Sequence, residues 1–456
     1  MPNLTDELIL KKNLKIGLFG LGKSNLGVLD YIKKRNSDFT LTVRSDKKIE
    51  PPSYINAEKI MTGAGALAKI DEDILFLSPS VRRERAELSE AKKRGVIISS
   101  DAELFFERNE KEVIAVTGAD GKSTTTYLIS RILSCGGIPS APAGNFGVSL
   151  TSFIGSGITA VAELSSFQLT YMKPRTKRAV ITNITPNHLN WHASVEEYIS
   201  AKLNVTDFTD SLIIDYDSKI LNSAVGGKPL FSAVSSKYSY SELSQKVAAE
   251  NYMTLDGNTV RLNGKPYFDL SGALRRENYN VKNYMLALSA TLGYTNVSAA
   301  YTAINSFKGL PHRAETVTER DGIKYINSSI DSSPERTLKT LGSLDGDTAV
   351  IIGGLGKGLS LEALAKALPR LTKGAALMGE VGEELSKILK VISPRYRYKL
   401  ARDMKDAINV ARDFLSGCGT VLLSPAATSF DLYRNFEERG NHFKKIVLMD
   451  EKDNNV

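Results

Sequence analysis

Residues 113–130 read VIAVTGADGKSTTTYLIS, and this stretch decides the fold. An apolar run, Val113 to Val116, leads into Thr117-Gly118-Ala119-Asp120-Gly121-Lys122-Ser123-Thr124, and an apolar-periodic segment follows. That order is strand, glycine-rich turn, helix, the unit from which parallel α/β sheets are built. Backbone N–H groups of such a turn, with the positive end of the helix dipole behind them, form a cradle for an anion. Lys122 adds a point charge at the outer phosphates, and the Ser123 hydroxyl is a ligand for Mg²⁺. The full Walker spacing asks for a glycine five residues before Gly121, where Val116 stands. The loop is therefore a shortened variant, which points away from an ordinary kinase or GTPase. A tight βα turn with a chance Gly-Lys-Ser is the alternative, and the flanking strand and helix argue against it.

At 456 residues the chain exceeds one compact core and predicts two or three domains. With 42% hydrophobic and 24% charged residues it has the composition of a soluble globular protein. The net charge of +8 is modest for this length. Its basic clusters, VRRER at 81–85 and AKKRG at 91–95, lack interleaved aromatics. They read as solvated helix faces and not as a nucleic-acid surface, although a mild positive field suits polyanionic small substrates. Two cysteines, Cys135 and Cys418, make neither a disulfide framework nor a metal site, so a reducing cytoplasm is expected. The acidic residues and missing apolar run of MPNLTDELILKKNLK exclude a signal peptide, and no stretch is long and apolar enough to predict a membrane span.

Upstream of the loop, LKIGLFGLGKSNLGVLDYIKK predicts a strand, a Gly20-x-Gly22-x-Ser24 turn and a helix. The strands FTLTVRS (39–45) and DILFLSPSV (73–81) follow, completing a small α/β unit with its turn at the mouth where ligands bind. The dinucleotide fingerprint is incomplete, and Arg44 stands near the end of the second strand in place of an acid. Arg44 suits a phosphate or a uracil edge, while a tight turn without a ligand remains the alternative. The loop segment continues through GNFG (144–147), VAELSSFQL (161–169) and AVITNITPNHLNWH (179–192). A third segment opens near FKGLPHR (307–313) and carries the strands TAVIIGG, ALMGE and TVLLSPA. The expected architecture is three α/β domains: a Rossmann-like unit over 1–103, a central P-loop unit over 104–308 and a Rossmann-like unit over 309–456.

The 4 histidines, His188, His192, His312 and His442, sit at strand ends or in turns, which favours function over packing. Glu163 ends an apolar strand, where it holds either Mg²⁺ or a structural ion pair. Ser165, Ser166 and Gln168 are donors for a sugar or peptide ligand. Lys202, on the amphipathic segment EEYISAKLNV, reads by itself as a solvated surface lysine. In LLSPAATSFDLYRNFEERGNHFKK the turn leaves the N–H groups of Thr428 to Phe430 for a carboxylate.

Together these pieces closely resemble the Mur ligases, the ATP-dependent amino-acid-adding enzymes of peptidoglycan synthesis. The resemblance is carried by VTGADGKSTTT, GNFGVSL, AELSSFQL, NITPNHLNWH, AKLNV, GLPHRAE, IIGGLGKG and LSPAATSFDLYRNFEERGNHFK, in the family's order from residue 16 to near 444. SSFQL combined with SPAATSFDLYRNFEERGNHF resembles the D-glutamate-adding branch. It implies that ATP activates the carboxylate of UDP-N-acetylmuramoyl-L-alanine as an acyl phosphate, which the amine of D-glutamate attacks. It also implies that Lys122, Glu163, His188 and Lys202 are catalytic, that Ser123 and Glu163 hold one Mg²⁺, and that His188 and a carbamylated Lys202 serve a second. ATP would be contacted by Gly118, Gly121, Lys122, Ser123, Thr124, Asn280, Asn283 and Arg313. Ser24 and Arg44 would meet the uridine diphosphate, with Asn145, Ser165 and Gln168 on the muramoyl-alanine end. Lys357, Ser429, Phe430 and Phe436 would frame D-glutamate. A cytoplasmic monomer without nucleic-acid or membrane partners is expected.

Several positions depart from the family's commoner pattern. Ser328-Ser329-Ile330 stands where Asp-Ser-Lys is expected, Gly356 and Tyr279 replace an acid and a histidine, and Asn187 and Asn190 replace acids around His188. The phosphoryl-transfer residues remain, and Lys357 or Arg336 is expected to compensate for the lost lysine. A ligase with another acceptor and a non-catalytic nucleotide-binding relative are the rival readings.

Overall fold

The structure, a computed structural model, describes residues 6–52, 54–109, 112–188, 191–356, 358–429 and 431–449. Three sheets organise them, each flanked by helices, giving the three α/β domains expected from the alternating pattern.

The first sheet runs β1 (Leu14–Phe19), β2 (Phe39–Ser45), β3 (Lys59–Thr62), β4 (Ile74–Leu77) and β5 (Ile97–Ser99), all parallel, in the order β3-β2-β1-β4-β5. The order reverses between β1 and β4, so the turn after β1 opens at a topological switch point, where doubly wound sheets bind ligands. The second sheet contains β6 (Ile114–Thr117), β7 (Ser140–Gly144), β8 (Thr159–Glu163), β9 (Arg175–Ile181), β10 (Phe208–Asp215), β11 (Leu230–Ser235), β12 (Ala249–Asp256), β13 (Thr259–Leu262) and β14 (Lys265–Asp269). Its order is β14-β13-β12-β11-β10-β9-β6-β8-β7, parallel except for the final meander β12-β13-β14. All four residues of β6 are buried because helices cover both faces of the sheet. The third sheet, β15 (Glu315–Arg320), β16 (Ile323–Asn327), β17 (Thr348–Gly353), β18 (Gly374–Met378), β19 (Tyr398–Leu400) and β20 (Gly419–Leu423), has the order β15-β16-β20-β17-β18-β19, with only β15 antiparallel.

The chain forms two compact units, one ending at Phe307 and one beginning at Lys308. The first two sheets belong to the same unit because their helices pack closely. At Gly27, in the helix Lys23–Lys33, a Cβ would lie 2.0 Å from Ser149 Oγ. Lys23 Nζ, at the start of that helix, donates to the carbonyl of Gly147 at 2.8 Å.

The basic run 81–85 is not on a helix face; the next helix begins at Ala86. Its arginines are paired with acids from three distant parts of the chain: Arg82 with Glu197, Arg83 with Glu103 and Arg85 with Asp46. His442 also departs from expectation, standing inside the helix Phe436–Met449 against the Tyr433 hydroxyl at 2.8 Å. Among the described residues no helix is long and apolar enough to cross a membrane.

Helix Asp101–Arg108 is capped by Ser100, whose side chain accepts from the Glu103 amide, and its first residue, Asp101, is fully buried. Burial lifts the Asp101 carboxyl from 3.8 to about 6, against the pull of Ser24, the Ala102 amide and Lys23. The folded protein therefore binds a proton here between about pH 4 and 6 that the unfolded chain does not, and this group's contribution to stability falls as pH rises through that window. Asp101→Asn removes the titration. Denaturant unfolding of both proteins should show the variant gaining up to about 3 kcal/mol relative to the parent between about pH 4 and 7. A pH-independent difference would contradict the assignment.

Candidate functional site

The phosphate loop joins β6 to the helix Lys122–Cys135. Its conformation explains both glycines. Gly118 has φ 142°, and a Cβ there would fall 2.0 Å from Thr182 Oγ1; Gly121 has φ 80°, and its Cβ would fall 2.4 Å from Asn283 Oδ1. The N-cap residue, Gly121, has no side chain with which to cap the helix. The middle of the loop is tied inward to the residues that follow β9. The Ala119 amide donates to the Asn183 carbonyl and the Asp120 amide to Asn183 Oδ1, while Thr182 Oγ1 and Asn183 Nδ2 donate to the Asp120 carbonyl. Lys122 Nζ curls onto the Ala119 carbonyl at 2.7 Å, and Ser123 and Thr124 are buried at the helix start. Asn283, on the helix Asn278–Thr291, accepts from Thr125 Oγ1 at 3.2 Å, placing that helix against the loop. Asn280, one turn earlier, is buried with its amide donating to Glu277.

Glu163 ends β8 beside β6, in register with Val116. It is 1% exposed; its Oε1 accepts from Asn145 Nδ2 at 2.7 Å, while its Oε2 is buried with no hydrogen-bond partner. A buried carboxylate oxygen left unsatisfied is costly unless a cation meets it. Lys202, which the residues alone place on a solvated surface, is 2% exposed, and its Nζ donates to the Gly118 carbonyl at 2.7 Å. Burial, reinforced by Lys122, pushes its amine well below the ordinary lysine range against the pull of Glu163. His188 has φ 58° and an exposed ring packed edge-on to Phe167. Among the described residues no cluster of three His, Cys, Asp or Glu forms a ready metal cage. A cation at this loop would meet a mixed set, the unpartnered Glu163 oxygen and the Ser123 hydroxyl, donors that suit a hard oxygen-seeking ion.

At the first sheet, Arg44 requires a correction. It is 2% exposed and spends all five guanidinium donors internally: Nε and Nη2 on Glu72, Nη1 on the carbonyls of Ala66 and Ala68, and Nη2 also on that of Lys69. No donor remains for a uridine or a phosphate. A groove opens instead beyond the ends of β1, β2 and β4, lined by Gly20, Ser45, Asp46, Lys47, Ser78 and Arg85 among others, with a volume of about 390 Å³. Ser24 is half-buried beside Asp101. Ser165 and Gln168 are turned on each other: they form the capping box of the short helix Ser166–Leu169, Ser165 donating to Gln168 Oε1 through both backbone and hydroxyl.

In the second compact unit, Ser429 is buried and Phe436 opens the helix Phe436–Met449, its carbonyl accepting from Ser329 Oγ at 2.8 Å. Arg313 is half-buried after the turn at Leu310. Lys357, Phe430 and Asn190 lie outside the described residues. The Thr428 amide, expected to await a carboxylate, donates to the Leu355 carbonyl in a β-bridge. Beside Gly356, Glu380 Oε2 accepts from the Gly356 amide at 3.1 Å, so an acid stands there from another element. Arg336 donates to the Ile330 carbonyl. Thr182, Asn183 and the groove residues Asp46 and Lys47 escaped sequence reasoning; a polar pair ending an apolar strand was the available signal for the first two.

Residues 116–291 match the family model of the Mur ligase middle domain. Over its length the chain is 33% identical to the UDP-N-acetylmuramoylalanine–D-glutamate ligase of Acetivibrio thermocellus, covering 96% of each chain. It is likewise 33% identical to the ligase of that name from Clostridium tetani, over 95% of this chain and 96% of that one. Among solved structures, the UDP-N-acetylmuramate–alanine ligase of Thermotoga maritima superposes with a TM-score of 0.61 at 19% identity, covering 96% of this chain and all of that one, a likeness of fold.

Arg44→Gln leaves Glu72 buried without its cation. Such a break is expected to cost about 3–5 kcal/mol in chemical denaturation, while calorimetric affinity for UDP per folded molecule stays unchanged. Full stability with lost UDP binding would reinstate Arg44 as a ligand contact.

Proposed function

The chain belongs to the Mur ligase family, amide-forming ligases of peptidoglycan synthesis, and on that premise we propose that it adds D-glutamate to UDP-N-acetylmuramoyl-L-alanine, with ATP cleaved to ADP and phosphate. One observation carries the reading. The phosphate loop, the unsatisfied Glu163 Oε2 and the depressed Lys202 amine are brought together at the ends of adjacent strands of one sheet.

The substrate carboxylate attacks the γ-phosphorus of ATP; the bond to the β–γ bridging oxygen breaks, and an acyl phosphate and ADP result. The amine of D-glutamate then adds to the acyl carbon, loses a proton, and expels phosphate as the amide forms. Lys122 neutralises charge on the transferring phosphoryl oxygens, and the first-turn amides of its helix hold the nucleotide phosphates. Gly118, Gly121, Ser123, Thr124, Asn280 and Asn283 shape that nucleotide site. Mg²⁺ held by Glu163 and Ser123, and a second ion served by His188 and a carbamylated Lys202, would supply further neutralisation of phosphoryl charge. The depressed amine favours carbamylation, because only neutral Lys202 attacks carbon dioxide.

The groove of the first sheet takes the uridine diphosphate, its Lys47 and Arg85 suiting a dianion, with Ser24 nearby and Asn145 toward the muramoyl-alanine end. Lys357, Ser429, Phe430 and Phe436 frame D-glutamate. We take the domain limits as 1–103, 104–308 and 309–456, in an enzyme acting as a monomer in the cytoplasm.

Phosphate release from ATP, Mg²⁺ and UDP-N-acetylmuramoyl-L-alanine should depend on D-glutamate and not on L-glutamate, with the product confirmed by mass. Lys122→Ala and Glu163→Gln should each lower kcat about 10²–10³-fold. Release with another amine alone would overturn the acceptor. Silence with every amine, in a folded protein that binds ATP, would favour a non-catalytic relative.

A further inference from the structure

The arginine run at 81–85 forms a strap between the groove of the first sheet and the catalytic face of the second. Arg82 lines the groove. Its Nη1 donates to the Trp191 carbonyl at 3.0 Å and to Glu197 Oε1 at 2.7 Å, and its guanidinium carbon lies 4.7 Å from the centre of the Trp191 ring. The Trp191 indole donates back to the Ser80 carbonyl at 2.7 Å.

Both partners lead to the site. Trp191 follows His188 in one turn, its amide donating to the His188 carbonyl at 2.9 Å, and both rings pack on Phe167. Glu197 lies in the helix Val195–Leu203 that carries Lys202, and its other oxygen accepts from the Ala193 amide, holding the start of that helix. Tyr198, the next residue, packs its ring under the Lys202 amine, 4.8 Å from the ring centre. Arg83 and Arg85 keep the strap in place through two-pronged pairs with Glu103 and Asp46, and Arg83 also stacks on Tyr171. Asp46 is itself a groove residue, so the strap meets the groove at two points.

We propose that Arg82 is a positioning residue: it ties occupation of the groove by a nucleoside diphosphate to the placement of His188 and Lys202. The proposal rests on the reading of the groove as the uridine diphosphate site. A planar guanidinium suits the task, because one face stacks on the indole while the edge forks between a carbonyl and a carboxylate. Lysine supplies the charge without the fork.

Trp191 is the only tryptophan of the chain, so emission excited beyond the tyrosine absorption band reports on the surroundings of this ring. The full-length protein is titrated with UDP while calorimetry measures binding separately. UDP should change Trp191 emission saturably in the parent. Arg82→Gln, saturated with UDP, should lose most of that change and about tenfold in kcat for phosphate release, the order expected when reacting groups shift by under an ångström. The KM for ATP should stay within about twofold, since no contact of Arg82 reaches the phosphate loop. Arg82→Lys should recover UDP affinity but neither the emission change nor kcat, and it carries the test if the glutamine variant does not fold. A strap that merely holds two sheets together would lower stability yet leave the emission response intact; that result, or UDP binding to the parent without an emission change, overturns the proposal. Absence of UDP binding by calorimetry overturns the groove reading, and the coupling falls with it.

Discussion

The second sheet is organised around the carbonyl of Gly118, which receives the amine of a lysine 84 residues further along the chain. The contact fixes the loop from beneath, and Thr182 and Asn183 fix it from the side. With the middle amides of the loop committed to Asn183, the positive end of the macrodipole at the first turn of the helix Lys122–Cys135 is what the loop offers an anion. Any side chain at Gly118 would drive the loop off Thr182 and lift its carbonyl from the amine. The glycines of the loop are therefore required twice, by backbone conformation and by closeness of approach.

The same packing sets the charge balance. An amine 2% exposed and a carboxylate 1% exposed share one low-dielectric region with Lys122. Desolvation weakens the positive form of Lys202 but leaves Glu163 with an oxygen that no protein group satisfies. That unsatisfied oxygen would suit a small cation, and Asn145 on the other Glu163 oxygen fixes the carboxylate's orientation. A salt bridge between Lys202 and Glu163 would have satisfied both groups and filled that position; the lysine bonds a carbonyl instead.

How much of this the sequence disclosed depends on the range of the interactions. The phosphate loop, the parallel sheets and the Glu163 strand end follow from local pattern, since glycine spacing and apolar runs are local properties. The burial of Lys202 is not local: its helix has acids and a tyrosine around it, and only packing beneath the loop removes it from water. Arg44 shows the reverse error. An arginine near a strand end facing a ligand mouth reads as a binding group, but Glu72 and three carbonyls of one distant turn consume it. The 81–85 run was legible as charge and illegible as architecture, because its three acids come from residues 46, 103 and 197.

The third sheet shows how chemistry absent from a motif returns through space. Gly356 stands where the family's commoner pattern has an acid, yet Glu380, at the start of the helix Gly379–Ile392, places a carboxylate on the Gly356 amide. Ile330 stands where a lysine is expected. One residue back, Ser329 carries both the hydroxyl and the carbonyl that Arg439 holds, and the same guanidinium grips the carbonyls of Gly353, Ala427 and Thr428. All those acceptors are neutral, and burial pulls the guanidinium down to about 10, still charged at neutral pH. The nearby carboxylates Asp431 and Asp331 favour its charged form and offset part of the desolvation cost. The guanidinium stands behind the loops at the ends of β16, β17 and β20 and ties the turns that follow all three strands to one another.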